Sequence, residues 1–282
     1  MMNQPDSWPR IAVIGGGQMA RALIGGWVAR GADPRRIAVA DPDPGQLAWL
    51  TTQFPGLEVH TDNALAAASA TVWLLAVKPQ QLAAVMSALA PTAGMNRPLV
   101  ISIVAGIRAA DIGRWLGGAA DVVRAMPNRP ALIGAGASGL YADTSVPTGA
   151  RTLAGRLIEA VGSVIWVPAE ADIDAVTSVS GSGPAYFFLL IELLESAGVA
   201  EGLAPDVARR LAIDTAVGAA ALARQGHDDP ATLRAQVTSK GGTTAAALAV
   251  FEAADLRGIV GRAVAAAASR SRELAAEFGR DP

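Results

Sequence analysis

The chain has no cysteine, and only two of its 282 residues are histidine. Disulfides, thiolate nucleophiles and Cys-ligated metals are therefore excluded. His60 and His227 lie far apart in the loop-like stretches EVHTDN and QGHDDP, without metal-ligand spacing, and read as surface residues. Lysine is nearly absent too, with Lys78 and Lys240 standing alone. So small a stock of His, Cys and Lys is poor equipment for nucleophilic or metal catalysis. An enzyme built this way leaves the hard chemistry to a cofactor. Aromatic residues make up 5 % of the chain, the net charge is −2, and no block of Lys and Arg occurs. That balance argues against nucleic acid or an anionic membrane as the main partner. The opening MMNQPDSWPR lacks the basic and apolar regions of a signal peptide. Consecutive apolar runs such as Ala185 to Ile191 are too short to span a bilayer. The expectation is a cytoplasmic globular protein.

With 51 % hydrophobic and 17 % charged residues the chain can bury a large core, as one large domain or two medium ones. RIAVIG, RIAVADP, LEVH, TVWLLAVKP, PLVISIVAG and DVVRAMP are short β-branched or apolar runs. Helical stretches such as QMARALIGGWVARG and QQLAAVMSALA separate them. This alternation predicts right-handed βαβ units and a parallel sheet with helices on both faces. Beyond about residue 168 helical periodicity takes over. The expected organisation is therefore an α/β dinucleotide-binding domain over residues 1–168 and an all-helical domain over 169–282. The helix beginning PAYFFLLIELLESAG is apolar nearly all round, which predicts burial within a domain or against another subunit.

Gly15, Gly16, Gly17, Gln18, Met19 and Ala20 fit G-x-G-x-x-A between the first strand and the first helix. Glycines there allow a tight turn and let backbone approach a pyrophosphate, while the helix N-terminus favours negative charge. A second strand ends in Asp41 about twenty residues further on, which strengthens the fingerprint. Asp41 has two readings. A carboxylate at that point accepts hydrogen bonds from ribose hydroxyls and repels a 2′-phosphate, favouring NADH over NADPH, but DPDPG is also good turn chemistry. Ala76, Val77, Lys78 and Pro79 close an apolar strand at its carboxyl end, where such sheets bind ligands. Lys78 is either a contact there or plain solvent-exposed punctuation.

A second glycine cluster, TSKGGTT, interrupts the Ala-rich helices from Thr238 to Thr244. Glycines expose backbone N–H groups, and the helix that follows offers unsatisfied donors, an arrangement suited to a small carboxylate. The competing reading is that Thr243 or Thr244 is only the helix cap.

Taken together, IGGGQMA, AVKP, RAMPNRPALIGAG, DAVTSVSGSGPAYFF and PATLRAQVTSKGGTTAAALAVFE resemble pyrroline-5-carboxylate reductase over nearly the whole chain, the last stretch being the most specific. The resemblance implies a Rossmann domain, a helical domain that interlocks two copies, and higher assemblies such as pentamers of dimers. It implies reduction of 1-pyrroline-5-carboxylate to L-proline by NADPH or NADH. Val237, Ser239, Gly242 and Thr243 would hold the substrate carboxylate, and Thr244 would approach the ring nitrogen. Ala76 to Pro79 with Ile103, Val104 and Ala105 would lie on the nicotinamide side, and Asn63 would touch the cofactor. Glu170 and Gln236 stand where they can approach the ligands. Arg129, in MPNRP, replaces the small polar residue that many members carry.

Two rivals differ in sequence. A β-hydroxyacid dehydrogenase shares the plan but uses a lysine on the first long helix of its second domain, and residues 180–200 contain none. A non-catalytic nicotinamide sensor would share the first half and have no need of TSKGGTT.

Overall fold

The computed structural model describes residues 8–279. Its first strand, Ile11–Ile14 (β1), shows why a sheet forms: Ile11 and Val13 point into one buried cluster, Ala12 and Ile14 into another. That period of two fits a strand covered on both faces. The glycine turn leads from β1 into Gln18–Ala29 (α1). Ile37–Ala40 (β2), Pro44–Gln53 (α2), Glu58–His60 (β3) and Asn63–Ala67 (α3) follow. Asp43 and Asp62 cap α2 and α3, accepting from Gly45 N at 2.8 Å and Ala64 N at 2.7 Å. Val72–Leu75 (β4), Pro79–Asn96 (α4), Leu99–Ser102 (β5), Ala109–Trp115 (α5) and Asp121–Met126 (β6) complete the alternation. The strands pair in the order β3-β2-β1-β4-β5-β6, all parallel. Strand order reverses between β1 and β4, so their carboxyl ends flank the crevice where open α/β sheets take ligands.

Beyond β6 the sheet departs from the parallel expectation. Gly136–Ala142 (β7) pairs antiparallel with β6, and Gly162–Trp166 (β8) pairs parallel with β7 after the helix Thr148–Glu159 (α6). Only a short 3-10 turn, Arg129–Ile133, joins β6 to β7, ending at Gly134 with φ +71°. A parallel return needs a crossover of a dozen residues or more, so this connection dictates an antiparallel one.

Helices Asp172–Val176 (α7), Gly183–Ala200 (α8), Pro205–Gln225 (α9), Pro230–Gln236 (α10), Thr243–Ala253 (α11) and Leu256–Phe278 (α12) make up the rest, with a π-helical turn at Thr177–Gly181. Contacts divide the chain into Met1–Gly181 with Ala267–Pro282, and Ser182–Ala266. The division thus falls later than residue 168, where strand character ends. Helix α7 packs on β7, whose Gly139 leaves room for Val176: an added Cβ would lie 2.6 Å from its methyl groups. The last turns of α12 also return to the sheet unit, where Ser271 Oγ donates to Asp174 Oδ1 at 2.5 Å.

Within the helical unit, α8 and α9 cross closely at Gly198, where an added Cβ would come within 3.3 Å of Ala208. Arg209 clasps Glu195 across the pair at 2.8 Å. Most of the apolar surface of α8 stays uncovered in the single chain; Phe187 and Phe188 are 64 % and 58 % exposed. The helical run Asp172–Ala200 reaches a mean hydropathy of 1.3 over 18 residues and meets the length of a membrane span. It passes by length and composition alone, because a helix tolerates isolated polar groups such as Glu192 and Glu195 and stays apolar on average.

Candidate active site

Gly15 adopts φ +103°, and a Cβ there would lie 2.7 Å from the Ala76 carbonyl oxygen. The ends of β1 and β4 approach so closely that only glycine fits. Hydrogen bonds fix both ends: Gly15 N donates to Ala40 O at 2.8 Å, and Ala76 N to Ile14 O at 2.8 Å. The helix α1 then starts at Gly17 with no side-chain cap, which leaves its first N–H groups free for an external acceptor.

Asp41, at the end of β2, takes part in this turn. Its Oδ2 accepts from Gly16 N at 2.7 Å, and its Oδ1 from Asp43 N at 2.9 Å. Asp41 thus ties the glycine turn to the β2–α2 turn, and it also lines the crevice. Arg21 braces the same turn, donating to Gly16 O at 3.3 Å and to Gln46 while stacking 3.8 Å over the Trp49 ring.

A cavity of about 750 Å³ runs along this edge, and Gly15, Gly17, Asp41, Asn63, Ala76, Val77 and Lys78 all line it. Its size suits a dinucleotide half or more, and nothing fills the space above Gly17. A pyrophosphate facing the uncapped start of α1 would meet free backbone donors. Lys78 is the N-cap of α4 and offers no side-chain cap to the helix. Ile103 continues β5 beside this edge, its N–H donating to Leu75 O at 3.1 Å.

Other residues of the fingerprint sit elsewhere. Ala20 is fully buried and packs α1 onto the sheet, so its part in the motif is close packing; Met19 packs against the same core. Gln18 faces a separate cavity of about 620 Å³ on the flank of α1, shared with Arg21, Trp49 and Arg129. His60 ends β3, its Nε2 2.8 Å from Glu58 Oε1.

The helical unit carries the second glycine turn. Gly241 has φ +73°, and Gly242, not a threonine, is the N-cap of α11, with no side-chain cap hydrogen bond. The cap reading of Thr243 and Thr244 thus fails. Thr238 Oγ1 donates back to Arg234 O at 2.6 Å. The hydroxyls of Ser239, Thr243 and Thr244, and the N–H groups opening α11, remain available at one helix end. A side chain at Gly242 would strike the Ser239 hydroxyl. Asp229 holds the preceding helix, α10, accepting from Thr232 N at 2.7 Å. That bond and the Thr232 side chain hold the Asp229 carboxyl below the usual carboxylate range.

Glu170 belongs to the sheet unit and is not open to a ligand in the same way. Its Oε1 accepts from Ala109 N at 2.7 Å and from Arg124 Nη1 at 3.0 Å. Sequence reading missed this pairing, since nothing local links a β6 arginine to a loop residue 46 positions on.

A cleft at the strand-order reversal beside a glycine turn and an uncapped helix, followed by a helical unit with a second glycine turn, is the plan of a dinucleotide-dependent oxidoreductase of Rossmann-plus-helical type. Comparison with known proteins narrows the class. Residues 170–274 match the family described as pyrroline-5-carboxylate reductase dimerisation, and residues 10–106 match NADP oxidoreductase, coenzyme F420-dependent. The pyrroline-5-carboxylate reductase of Pseudomonas aeruginosa is 47 % identical, covering 97 % of this chain and 100 % of its own. That of Haemophilus influenzae is 41 % identical, covering 95 % and 98 %. The solved pyrroline-5-carboxylate reductase of Coxiella burnetii superposes with a TM-score of 0.89 at 40 % identity, covering 95 % of this chain and 99 % of that one. A Plasmodium falciparum pyrroline carboxylate reductase with NADP bound gives 0.84 at 26 %, with the same coverage. The chain belongs to the pyrroline-5-carboxylate reductase family.

Proposed function

We propose that Thr244 and the turn before it form the substrate site of a pyrroline-5-carboxylate reductase, with residues 169–282 as its substrate-binding and dimerisation domain. The protein catalyses NAD(P)H-dependent reduction of 1-pyrroline-5-carboxylate to L-proline. One observation carries the assignment of the site: the start of α11 has no side-chain cap, and three unbonded hydroxyls surround it.

In this reading the Val237 to Thr243 turn, with Ser239 and Gly242, holds the substrate carboxylate by backbone N–H and hydroxyl donors. The Thr244 hydroxyl oxygen accepts from the protonated ring nitrogen. Bound reduced nicotinamide supplies a hydride from its C4 to the imine carbon. The protonated imine is already electrophilic, so the residues need only orient and approximate the reactants, in keeping with a chain of two histidines and two lysines. Gly15, Gly16, Gly17, Asn63 and Ala76 to Pro79 hold the cofactor, and Ile103, Val104 and Ala105 lie on its nicotinamide side. Asp41, which lines the cleft, favours NADH.

The chain forms homo-oligomers through the helical region, and the uncovered face of α8 supports a dimer that buries it. Five such dimers make the decamer of the reading, which light scattering on the purified protein checks. The cytoplasm, with its supply of reduced dinucleotide, is the compartment that suits the reaction. The deciding experiment follows absorbance at 340 nm with DL-pyrroline-5-carboxylate and either NADH or NADPH. Turnover with a larger kcat/KM for NADH is the expected result; cofactor binding without turnover of this imine would overturn the substrate assignment.

A further inference from the structure

Between β5 and α5 runs a six-residue segment, Ile103 to Arg108, that crosses the carboxyl edge of the sheet beside Ala76. It is fastened at three points. At its start Ile103 N donates to Leu75 O at 3.1 Å, and Val104 N to Ser102 Oγ at 3.3 Å. In its middle Gly106, at φ +74°, lies so close to α12 that an added Cβ would fall 2.9 Å from Leu274 Cβ. At its end Ala109, the first residue of α5, donates its N–H to Glu170 Oε1 at 2.7 Å.

The third fastening is unusual in origin. Helix α5 begins after Arg108, which provides no side-chain cap. Glu170 supplies the acceptor from 61 residues away, and its negative charge suits a helix N-terminus. The same oxygen accepts from Arg124 Nη1 at 3.0 Å. Arg124 is drawn from β6, opposite Ser102 of β5, and its side chain is only 7 % exposed. A guanidinium so buried needs a carboxylate partner. Glu170 thus joins a buried cation on the sheet to the end of the loop, and both of these bonds go to one oxygen, Oε1.

We propose that Glu170, held by Arg124, is a positioning residue: it fixes the far end of the Ile103–Arg108 loop and so sets the surface against which the nicotinamide is presented, rather than binding the substrate. The inference rests on the assignment of that loop to the nicotinamide side. The two roles differ in what they move. A substrate ligand acts mainly on KM for the imine, whereas a loop fastener acts on kcat and on cofactor binding.

The test uses the full-length protein with Glu170→Ala, Glu170→Gln and Ala109→Pro. The glutamine keeps an oxygen for Ala109 N and for Arg124. Proline at the first helical position removes only the donated N–H, and Arg108 before it already has the extended ψ of 151° that proline demands. Hydrogen exchange on the cofactor-free protein should show the 103–110 segment opening about tenfold more in Glu170→Ala than in the parent, with Glu170→Gln close to the parent. NADH affinity should weaken several-fold. With pyrroline-5-carboxylate, kcat should fall about ten- to a hundredfold while its KM stays within about twofold. If Glu170→Ala fails to fold, Ala109→Pro carries the test, with the same fall in kcat expected. An unchanged loop exchange, an unchanged kcat in Ala109→Pro, or a rise confined to KM for the imine would overturn the proposal. If the parent protein fails to reduce this imine while loop exchange and NADH affinity still respond to Glu170→Ala, the substrate assignment falls and the positioning role stands.

Discussion

Two glycine turns each feed an uncapped helix, and they are built in opposite ways. Before α1, Gly15 is pressed against the Ala76 carbonyl, and Asp41 accepts from Gly16 N at 2.7 Å. Sheet strands on both sides hold that turn to one conformation. Before α11, nothing lies within 4 Å of a Cβ added at Gly241, and only Ser239 crowds Gly242. The first turn owes its shape to tertiary contacts, the second to glycine backbone and a capped α10. A preformed cleft suits a large cofactor whose binding must not depend on the substrate. An open turn leaves hydroxyls and N–H groups to be organised around a small carboxylate.

The largest effect that would break this contrast comes from adding one methyl group to each turn. Gly15→Ala must displace the β4 backbone and hold alanine at a positive φ. Strain of this kind costs about 1–3 kcal/mol before the displacement is counted, and NADH affinity should fall about a hundredfold or more. Gly241→Ala meets open space at φ +73° and carries only the left-handed penalty of about 1–2 kcal/mol. It should raise KM for the imine several-fold and leave NADH affinity unchanged. Calorimetry with NADH and steady-state kinetics on both variants check the pair. Equal losses of NADH affinity would mean that the two turns are not independent.

Next in size is Thr244→Ala. If its hydroxyl meets the ring nitrogen as proposed, its loss should lower kcat/KM by about ten- to a hundredfold, about 1.4–2.7 kcal/mol, with NADH affinity unchanged. A folded variant with parental kcat/KM would remove Thr244 from the chemistry.

A subtler effect belongs to Asp41, a strut of the first turn that also lines the cleft. Asp41→Asn keeps one oxygen for Gly16 N, gives up the bond from Asp43 N and removes the charge, so the kcat/KM ratio of NADPH to NADH should rise about tenfold. Asp41→Ala removes the strut as well and should depress both cofactors. If the asparagine variant leaves the ratio unchanged, the carboxylate is a strut alone.

How much of this was legible in the sequence depends on where the information lies. Strands β1, β2, β4, β5 and β6 declare themselves by apolar runs closed by glycine or proline, and β3 by the short run LEVH. Strand β7 does not: in GASGLYA the glycine at position 139 is dictated by Val176 of α7 pressing on it, a contact no local pattern reveals. Helix α6 did carry a signal, with Leu153, Ala154, Leu157 and Ile158 at helical spacing. The return of α12 to the sheet unit rests on Ser271 meeting Asp174, 97 residues apart, and so the division of the chain could not be read from composition. In the site, glycine turns and their helices were legible because local backbone chemistry writes them. The fastening of Gly16 by Asp41 and of Ala109 by Glu170 was not, since each is a long-range pairing of a side chain with a backbone N–H.

The smallest effect sharpens the contrast through pH. The second turn hangs from a titrating cap, for Asp229 holds the start of α10, which runs directly into Val237. Hydrogen bonds from Thr232 hold the Asp229 carboxyl below its ordinary value, so the folded chain binds this proton less readily than the unfolded one. The cap's stabilisation is then fully present above the ordinary aspartate value of about 3.9 and is lost as pH falls through the lower folded value. An asparagine in its place would cap without titrating. The urea midpoint of Asp229→Asn should therefore drop less than the parent's between about pH 6 and pH 3. An equal drop would mean that the acid lability of the chain lies in other carboxylates, such as Glu195 and Glu252, whose arginine partners hold them low in the same way.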